Sequence, residues 1–391
     1  WYINKLALDE SNNRIYATTN TGLMYSSDGG TTWAMAKTGD TLELSGNGHD
    51  IEVGSNGALL ADNAGLGYIS PNGNPDQFMV LDSLPDDGER LEFAIAPTDP
   101  DIMYVTIVTP EGALNSVWRS NDGGVDWYLI APGGAQSLNF FGTGANISEG
   151  VGLENNVLVV FPTNPDKVLL GGINMWEGLK IDEDGIFQWT MRSNGSQNNP
   201  ASPYFFSYVG PRHCEYIFRP ENDKQILIGS YRGVFVGLIN SNQFEFESKH
   251  RNYYTTQFNT IGMSGEKRRA IGGTVGNGTI RLDGSGNPNT ARYGYPVWYS
   301  ANGFASQNPG GACELPIIDP QVAIYSQIDG NFRRSEDLGE NASTTFFSDD
   351  VSSTFSSDVN YLAPAVFWEN FEDVHSRDST WFVASKAYNT G

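Results

Sequence analysis

The chain has 391 residues, with 45 glycines, 12% aromatic residues and a formal net charge of −23. This composition is typical of many short strands joined by tight turns, and it disfavours a helical protein. The negative charge excludes nucleic acid as a partner, because phosphate backbones would be repelled. No apolar run reaches the ~20 residues that membrane insertion needs.

A repeated unit runs through the chain, in which two apolar segments flank a turn rich in Pro, Asp and Asn. Its clearest copies are 93–105, 158–170, 216–228 and 315–325. Weaker copies begin near Leu6, Ile51, Ile261 and Tyr361. Each copy predicts a β-hairpin, since the turn residues favour a chain reversal and the apolar runs favour strands.

The spacing of these hairpins predicts the architecture. Successive copies start about 42 to 65 residues apart, which is the length of a four-stranded propeller blade with its loops. Segments with helical periodicity are nearly absent. We therefore predict an all-β fold, a β-propeller of four-stranded antiparallel blades, in a single domain spanning 1–391. Seven blades are favoured, with eight as the alternative.

Two segments share the pattern Ser-x-Asp-x-Gly-x-x-Trp, each directly after an apolar strand. They consist of Ser26, Asp28, Gly30 and Trp33, and of Ser120, Asp122, Gly124 and Trp127. A third copy has Ser335, Asp337 and Gly339 but lacks the Trp, and segment 180–189 matches with altered spacing. Ser and Asp side chains can bond nearby backbone N–H groups, and glycine can adopt positive φ. We interpret the motif as a structural turn rather than as a calcium or glycan site.

With these motifs the chain resembles the Asp-box (BNR-repeat) β-propellers, which include sialidases, xyloglucan-type glycoside hydrolases and sortilin-like receptors. Segments 270–279 and 309–335 resemble stretches of large secreted Asp-box propellers of the Bacteroidota. The resemblance implies export, by type 9 secretion, to the outer cell surface or the extracellular space. It also implies that this chain could be a fragment of a longer exported protein.

The signatures of the enzymes in this family are incomplete. The sialidase pattern Phe/Tyr-Arg-Ile-Pro has its nearest match in Phe218-Arg219-Pro220, which lacks the Ile. Asn20 stands where the xyloglucanase-like proteins carry a catalytic-type Asp. An amide cannot act as a general acid or base. These departures weigh against an enzyme, and we predict no catalytic residues.

Chemically active side chains are concentrated where the inner strands begin. The candidate ligand-binding residues are Arg212, His213, Glu215, Glu314, His49 and Glu92. In a propeller, such positions ring one mouth of the central channel, where ligands usually bind. The alternative is that these side chains only solvate a water-filled channel. Cys214 and Cys313 occupy matching places, and the sequence leaves a disulfide or two thiols open.

We therefore expect a noncatalytic extracellular or cell-surface protein that binds a glycan or a protein partner. One alternative is a glycoside hydrolase acting on polysaccharide, and another is a structural module of a large surface adhesin or fibre. No cofactor is expected. Segment 283–289 spaces oxygen atoms like a calcium loop, but it lacks the distal Glu, so calcium is only a weak candidate.

Overall fold

The computed structural model describes most of the chain. The described residues are 2–39, 41–134, 139–142, 148–195, 208–220, 222–240, 243–249, 256–264, 269–275, 278–282, 298–301, 310–319, 321–327, 332–340, 365–372 and 381–384. The calcium-like segment 283–289 and the hairpin start near Tyr361 lie outside them. The chain divides into two compact units, Trp1–Tyr253 and Tyr254–Gly391. The single domain over 1–391 stays a prediction.

The first unit contains five four-stranded sheets, which we call blades 1 to 5. Their strands are β1 (Ile3–Asp9), β2 (Arg14–Thr19), β3 (Gly22–Ser26) and β4 (Ala34–Met35) in blade 1; β7 (Ile51–Val53), β8 (Leu59–Asn63), β9 (Leu66–Ser70) and β10 (Met79–Val80) in blade 2; β11 (Arg90–Ile95), β12 (Met103–Val108), β13 (Leu114–Ser120) and β14 (Tyr128–Pro132) in blade 3; β15 (Val157–Phe161), β16 (Asn164–Gly171), β17 (Met175–Lys180) and β18 (Phe187–Met191) in blade 4; and β19 (His213–Arg219), β20 (Asn222–Ser230), β21 (Gly233–Asn240) and β22 (Gln243–Ser248) in blade 5. A small separate hairpin pairs β5 (Lys37–Thr38) with β6 (Leu42–Glu43).

The second unit continues the same pattern. Its strands are β23 (Phe258–Ser264), β24 (Arg269–Thr274), β25 (Thr279–Leu282) and β26 (Trp298–Ser300) in blade 6; β27 (Gly310–Glu314), β28 (Ala323–Gln327) and β29 (Phe332–Ser335) in blade 7; and the pair β30 (Ala365–Trp368) and β31 (Trp381–Ala384). Each strand in a blade pairs antiparallel with the next strand in sequence, which is the topology of propeller blades. The predicted all-β propeller fold is confirmed, and the described sheets are consistent with both seven and eight blades.

Apolar side chains between neighbouring blades form the core of the first unit. Tyr16 and Leu23 of blade 1 pack with Ile51 and Leu59 of blade 2, and similar clusters join the other neighbouring blades. All six residues of β12 are buried, because this strand has a blade on each side. Such a strand appears in the sequence as a continuous apolar run rather than as an alternating one. Among the described residues, no helix has the length and apolar character that crossing a membrane requires.

The predicted hairpins whose starts fall on described residues match the structure except in the last clear copy. There the first strand is β27, which ends at Glu314, so the predicted strand beginning at Leu315 is wrong. Pro316 has no N–H group to donate to a sheet. The next two N–H groups, of Ile317 and Ile318, donate instead to the carboxylate of Glu369, at 2.7 and 2.9 Å. The apolar run after β27 therefore forms a loop.

Candidate functional site

The Ser-x-Asp-x-Gly segments form closed turns, and the two complete copies connect the third and fourth strands of their blades. In the first, the N–H of Gly30 donates to Ser26 Oγ at 2.9 Å, and the Ser26 hydroxyl donates to Asp28 Oδ1 at 2.8 Å. Thr32 donates its backbone N–H to Asp28 Oδ1 and its hydroxyl to Oδ2. These bonds, led by that of the Thr32 hydroxyl, lower the pKa of Asp28 to about 2. Both carboxylate oxygens are thus already used within the turn.

The other two copies repeat this geometry. The N–H of Gly124 donates to Ser120 Oγ at 2.9 Å, and the N–H of Gly339 donates to Ser335 Oγ at 2.7 Å. The third turn closes without a Trp. It also places Leu338 at a φ of +58°, where the first two copies have glycine. The Trp127 and Trp33 side chains donate their indole N–H to a backbone carbonyl of their own turn, at 3.1 Å. Each polar atom described here has a local structural use.

The starts of the inner strands of neighbouring blades lie close together within the first unit. The Asn4 amide donates to the carbonyl of Gly48, Arg90 donates to the carbonyl of Leu153, and the Asn155 amide donates to the carbonyl of His213, at 2.6, 2.9 and 3.3 Å. The starts of β1, β7, β11, β15 and β19 are therefore neighbours, and we call this the proximal end. Because β3 and β13 run parallel to the first strands of their blades, the Ser-x-Asp-x-Gly turns lie at the opposite end.

A charged cluster joins blades 1, 2 and 3 near the proximal end. Lys5 Nζ lies 2.5 Å from Asp50 Oδ1, 2.6 Å from Glu52 Oε1 and 3.5 Å from Glu92 Oε1. Asp50 is fully buried, and its second oxygen accepts the N–H of Phe93 at 2.6 Å. The Glu52 side chain is 31% exposed, so the cluster is open to solvent on one side. We call Lys5, Asp50, Glu52 and Glu92, together with Arg90, the proximal charge cluster.

Arg90 extends this cluster to blade 4. Its Nη2 lies 2.9 Å from Glu92 Oε2 and 3.1 Å from the carbonyl oxygen of Asn156, the residue directly before β15. Sequence reasoning identified Glu92 but missed Lys5, Glu52 and Arg90. The available signal was a charged residue within the first three positions of β1, β7, β11 and β19.

Burial controls the ionisation of these groups. Burial and the neighbouring Asp50 raise the pKa of Glu92 to about 7, although Lys5 and Arg90 oppose the shift. Burial also raises the pKa of Glu52, with further contributions from Asp50 and Glu215 and opposition from Lys5. Burial lowers the pKa of Lys5, but the three carboxylates outweigh it and hold the net value well above the usual range. Lys5 thus stays an ammonium while Glu92 can gain a proton near neutral pH.

His213 is fully buried, although the sequence places it among the ligand-binding candidates. Its Nδ1 is hydrogen-bonded to the hydroxyl of Tyr216 within the same blade. Burial lowers the pKa of His213 to about 4, so it is neutral at physiological pH. Its neighbours Cys214 and Glu215 are exposed, and burial of part of the thiol raises the pKa of Cys214. Cys214 and Cys313 are both free thiols.

Two further candidates occupy different surroundings. His49 bonds to the buried Asp62 through Nδ1, at 2.8 Å, and through its backbone N–H, while Nε2 faces the amide of Asn47 at 2.9 Å. Both ring nitrogens are therefore engaged in fixing the chain before β7. Glu314 belongs to the second unit, and the prediction that it begins an inner strand is wrong, because it is the last residue of β27. It is half-buried there, and burial raises its pKa. In the part of the chain that the structure describes, no group of three His, Cys, Asp or Glu side chains is arranged to hold a metal ion.

Arg212 lies at the proximal end, just before β19. Its Nη1 is 3.2 Å from Glu154 Oε2, and its guanidinium lies 5.5 Å from the ring centre of Tyr231. Asn20, the position of a catalytic-type Asp in xyloglucanase-like proteins, accepts the N–H of Tyr2 at 3.1 Å. Glu92, Arg212 and Glu215 thus lie at the proximal end of the first unit, where His213 is buried.

Solved propeller structures resemble the chain in fold. A GH74 enzyme from Niastella koreensis aligns over 97% of this chain and 55% of its own, with a TM-score of 0.54 and 14% identity. An ancestral GH74 enzyme aligns over 86% of this chain and 62% of its own, with a TM-score of 0.47 and 14% identity. The β-propeller domain of Cps50 (Swd1) from Myceliophteria thermophila aligns over 84% of this chain and 93% of its own, with a TM-score of 0.41 and 9% identity. No protein-family model and no curated protein matches the sequence. The chain spans about half the length of the Niastella enzyme, and the likeness concerns the fold alone.

Proposed function

We propose that this chain is a noncatalytic, extracellular or cell-surface β-propeller that binds a glycan at the proximal end of its first unit. The position of Lys5 carries the proposal. Its ammonium group contacts Asp50, Glu52 and Glu92, which belong to two other blades. The cluster offers both hydrogen-bond donors and hydrogen-bond acceptors to a ligand. Its carboxylates also form ion pairs with Lys5.

The same contact argues against hydrolysis. Both Glu52 and Glu92 touch Lys5 Nζ, so their carboxylates are at most about 6 Å apart, a separation at which a retaining glycosidase could work. A sugar would have to place its anomeric carbon between the two groups. Both carboxylates instead contact the ammonium of Lys5, so the pair is held in an ion-pair network rather than facing a substrate.

A glycan suits the surface of this cluster. Sugar hydroxyls both donate and accept hydrogen bonds, and the exposed sides of Glu52, Lys5 and Glu215 offer groups of both kinds. One structural neighbour with a similar fold is a GH74 enzyme, a glycoside hydrolase, which supports a glycan as the first ligand class to test. A protein partner and a structural role in a surface adhesin are the competing outcomes.

One observation favours a hydrolase as a second candidate. The pKa of Glu92 is raised to about 7, which is the range of a general acid at neutral pH. Glu92 would then protonate the leaving group, and Glu52 would act as the second carboxylate. This function requires Lys5 to release both carboxylates.

A panel of soluble polysaccharides separates these functions. Binding is measured by affinity electrophoresis, and hydrolysis by the release of reducing ends. We expect binding without sugar release, and a loss of at least about tenfold in affinity in Glu52→Gln. Glu43→Gln, an exposed change on β6, is the matched control and should leave binding intact. Sugar release that disappears in Glu92→Gln would replace the proposal with the hydrolase. A chain that binds no glycan in the panel would contradict both.

A further inference from the structure

An exposed tyrosine lies at the proximal end of the first unit. Tyr231 occupies the turn between β20 and β21, and it is 57% exposed. This turn is at the proximal end, because β20 runs back toward the start of β19. The guanidinium of Arg212 lies against the tyrosine ring and leaves much of the residue open to solvent. An open aromatic face of this kind is large, rigid and amphipathic.

Glu154 connects the tyrosine and the arginine to the neighbouring blade. Its Oε2 accepts from Arg212 Nη1 at 3.2 Å and from the Tyr231 hydroxyl at 3.5 Å. Glu154 precedes β15 of blade 4, while the other two residues belong to blade 5. The arginine and the glutamate balance each other's charge. The group therefore presents an aromatic face beside polar atoms, with no net charge to attract an ion.

The backbone at Arg212 is held in an unfavourable conformation. Its φ is +63°, a value that a residue with a long side chain rarely adopts. Strain of this kind occurs preferentially at binding sites, where the surrounding structure enforces it. The Arg212 side chain contacts Glu154 and Tyr231, so the strained backbone lies within this exposed group.

From this arrangement we infer that Tyr231, Arg212 and Glu154 form a sugar-stacking subsite for a neutral β-linked glucan. The inference rests on the proposed glycan binding and specifies its ligand. A pyranose whose hydroxyls are all equatorial has flat C–H faces that stack on an aromatic ring. Its hydroxyls then lie at the ring edge, where Arg212 donates hydrogen bonds and Glu154 accepts them. An axial hydroxyl would stand off the ring and weaken the stacking.

The test compares cellohexaose with mannohexaose, whose 2-hydroxyls are axial, by isothermal titration calorimetry. We expect cellohexaose to bind at least about tenfold more tightly. Tyr231→Ala should lose that binding, whereas Tyr231→Phe, which keeps the ring, should retain it within about twofold. Tyr128→Ala is the matched control, because Tyr128 on β14 is 54% exposed but belongs to the outer strand of blade 3.

The outcomes separate this subsite from the broader proposal. Equal binding of the two sugars, or full binding by Tyr231→Ala, would overturn the subsite. If the polysaccharide panel showed binding that Glu52→Gln weakens while cellohexaose failed to bind, the glycan proposal would stand and the subsite would be wrong. If no glycan bound at all, both would be wrong. Equal loss of binding in Tyr231→Ala and Tyr128→Ala would also overturn the subsite, because the loss would not depend on the ring at Tyr231.

Discussion

Lys5 Nζ and Glu92 Oε1 lie 3.5 Å apart, yet the pKa of Glu92 is raised to about 7 instead of lowered. An ammonium at this distance ordinarily favours the carboxylate form. Here Lys5 is already bound more closely by Asp50 and Glu52, and burial together with the charge of Asp50 outweighs its attraction. The cluster therefore holds more negative charge than its two cations compensate, and it takes up a proton near neutral pH.

The first prediction concerns pH and Glu92. Between its usual pKa of 4.5 and its folded value of about 7, the folded chain keeps a proton that the unfolded chain releases. The contribution of Glu92 to the free energy of unfolding is therefore complete below 4.5 and is lost as pH rises through 7, by at most about 3 kcal/mol. We expect Glu92→Gln to remove this decline.

Urea unfolding of both proteins at a series of pH values measures the difference directly. As pH rises from 4.5 to about 7, the free energy of unfolding of Glu92→Gln should increase relative to that of the parent protein. A difference that is constant with pH would show that Glu92 does not titrate there.

His213 should produce a pH dependence of opposite sign. Its pKa is lowered from 6.5 to about 4, so the unfolded chain binds a proton that the folded chain excludes. The free energy of unfolding should fall as pH decreases through this window, by at most about 3 kcal/mol. His213→Gln should flatten the slope while still offering Tyr216 a polar partner. The comparison is best made in a Glu92→Gln background, because the two slopes overlap. A slope that His213→Gln leaves unchanged would contradict the assigned burial of a neutral imidazole.

The sequence predicts the blades well because their signals are local. The turn residues and apolar runs of 93–105 lie next to each other, and the structure forms β11 and β12 from them. The pattern fails at Leu315, where the competing partner is Glu369, a residue 54 positions further along the chain. No local pattern contains that contact.

The site is predicted less completely for the same reason. The strand-start positions of Glu92, Arg212 and Glu215 follow from the repeat, and the structure brings them to one end. Lys5 and Glu92 are 87 positions apart, so their pairing depends on how three blades are arranged. Likewise, the chemistry of His213 suggests a ligand contact, but its burial beside Tyr216 is set by neighbouring blades.

The two complete Ser-x-Asp-x-Gly turns offer a matched test of packing. Gly30 and Gly124 share a φ of +89°. A methyl group added at Gly30 would meet only Trp33, at 3.9 Å, whereas one at Gly124 would lie 2.6 Å from Cδ1 of Ile69. Ile69 is part of the core between blades 2 and 3, so it has little room to move. Both alanine variants should lose about 1–2 kcal/mol from the positive φ, and Gly124→Ala about 1–3 kcal/mol more from the clash.

Urea unfolding at one pH is sufficient to rank these variants. Equal losses would show that the second turn is not pressed against the core. A larger loss of stability in Gly30→Ala than in Gly124→Ala would show that the first turn, rather than the second, is packed against the core.

Two substitutions of Arg212 separate the effect of its backbone strain from the effect of its side-chain contacts. Arg212→Ala and Arg212→Gly both remove the contacts with Glu154 and Tyr231, and that exposed ion pair itself contributes at most about 1 kcal/mol. Only glycine adopts a φ of +63° without penalty, so Arg212→Gly should be more stable than Arg212→Ala by about 1 kcal/mol in urea unfolding. Both variants should bind cellohexaose equally weakly, because the lost guanidinium is common to them. If the two were equally stable, the backbone at this position would not be strained. If Arg212→Gly bound the glucan less well than Arg212→Ala, the fixed backbone rather than the guanidinium would be what positions Tyr231.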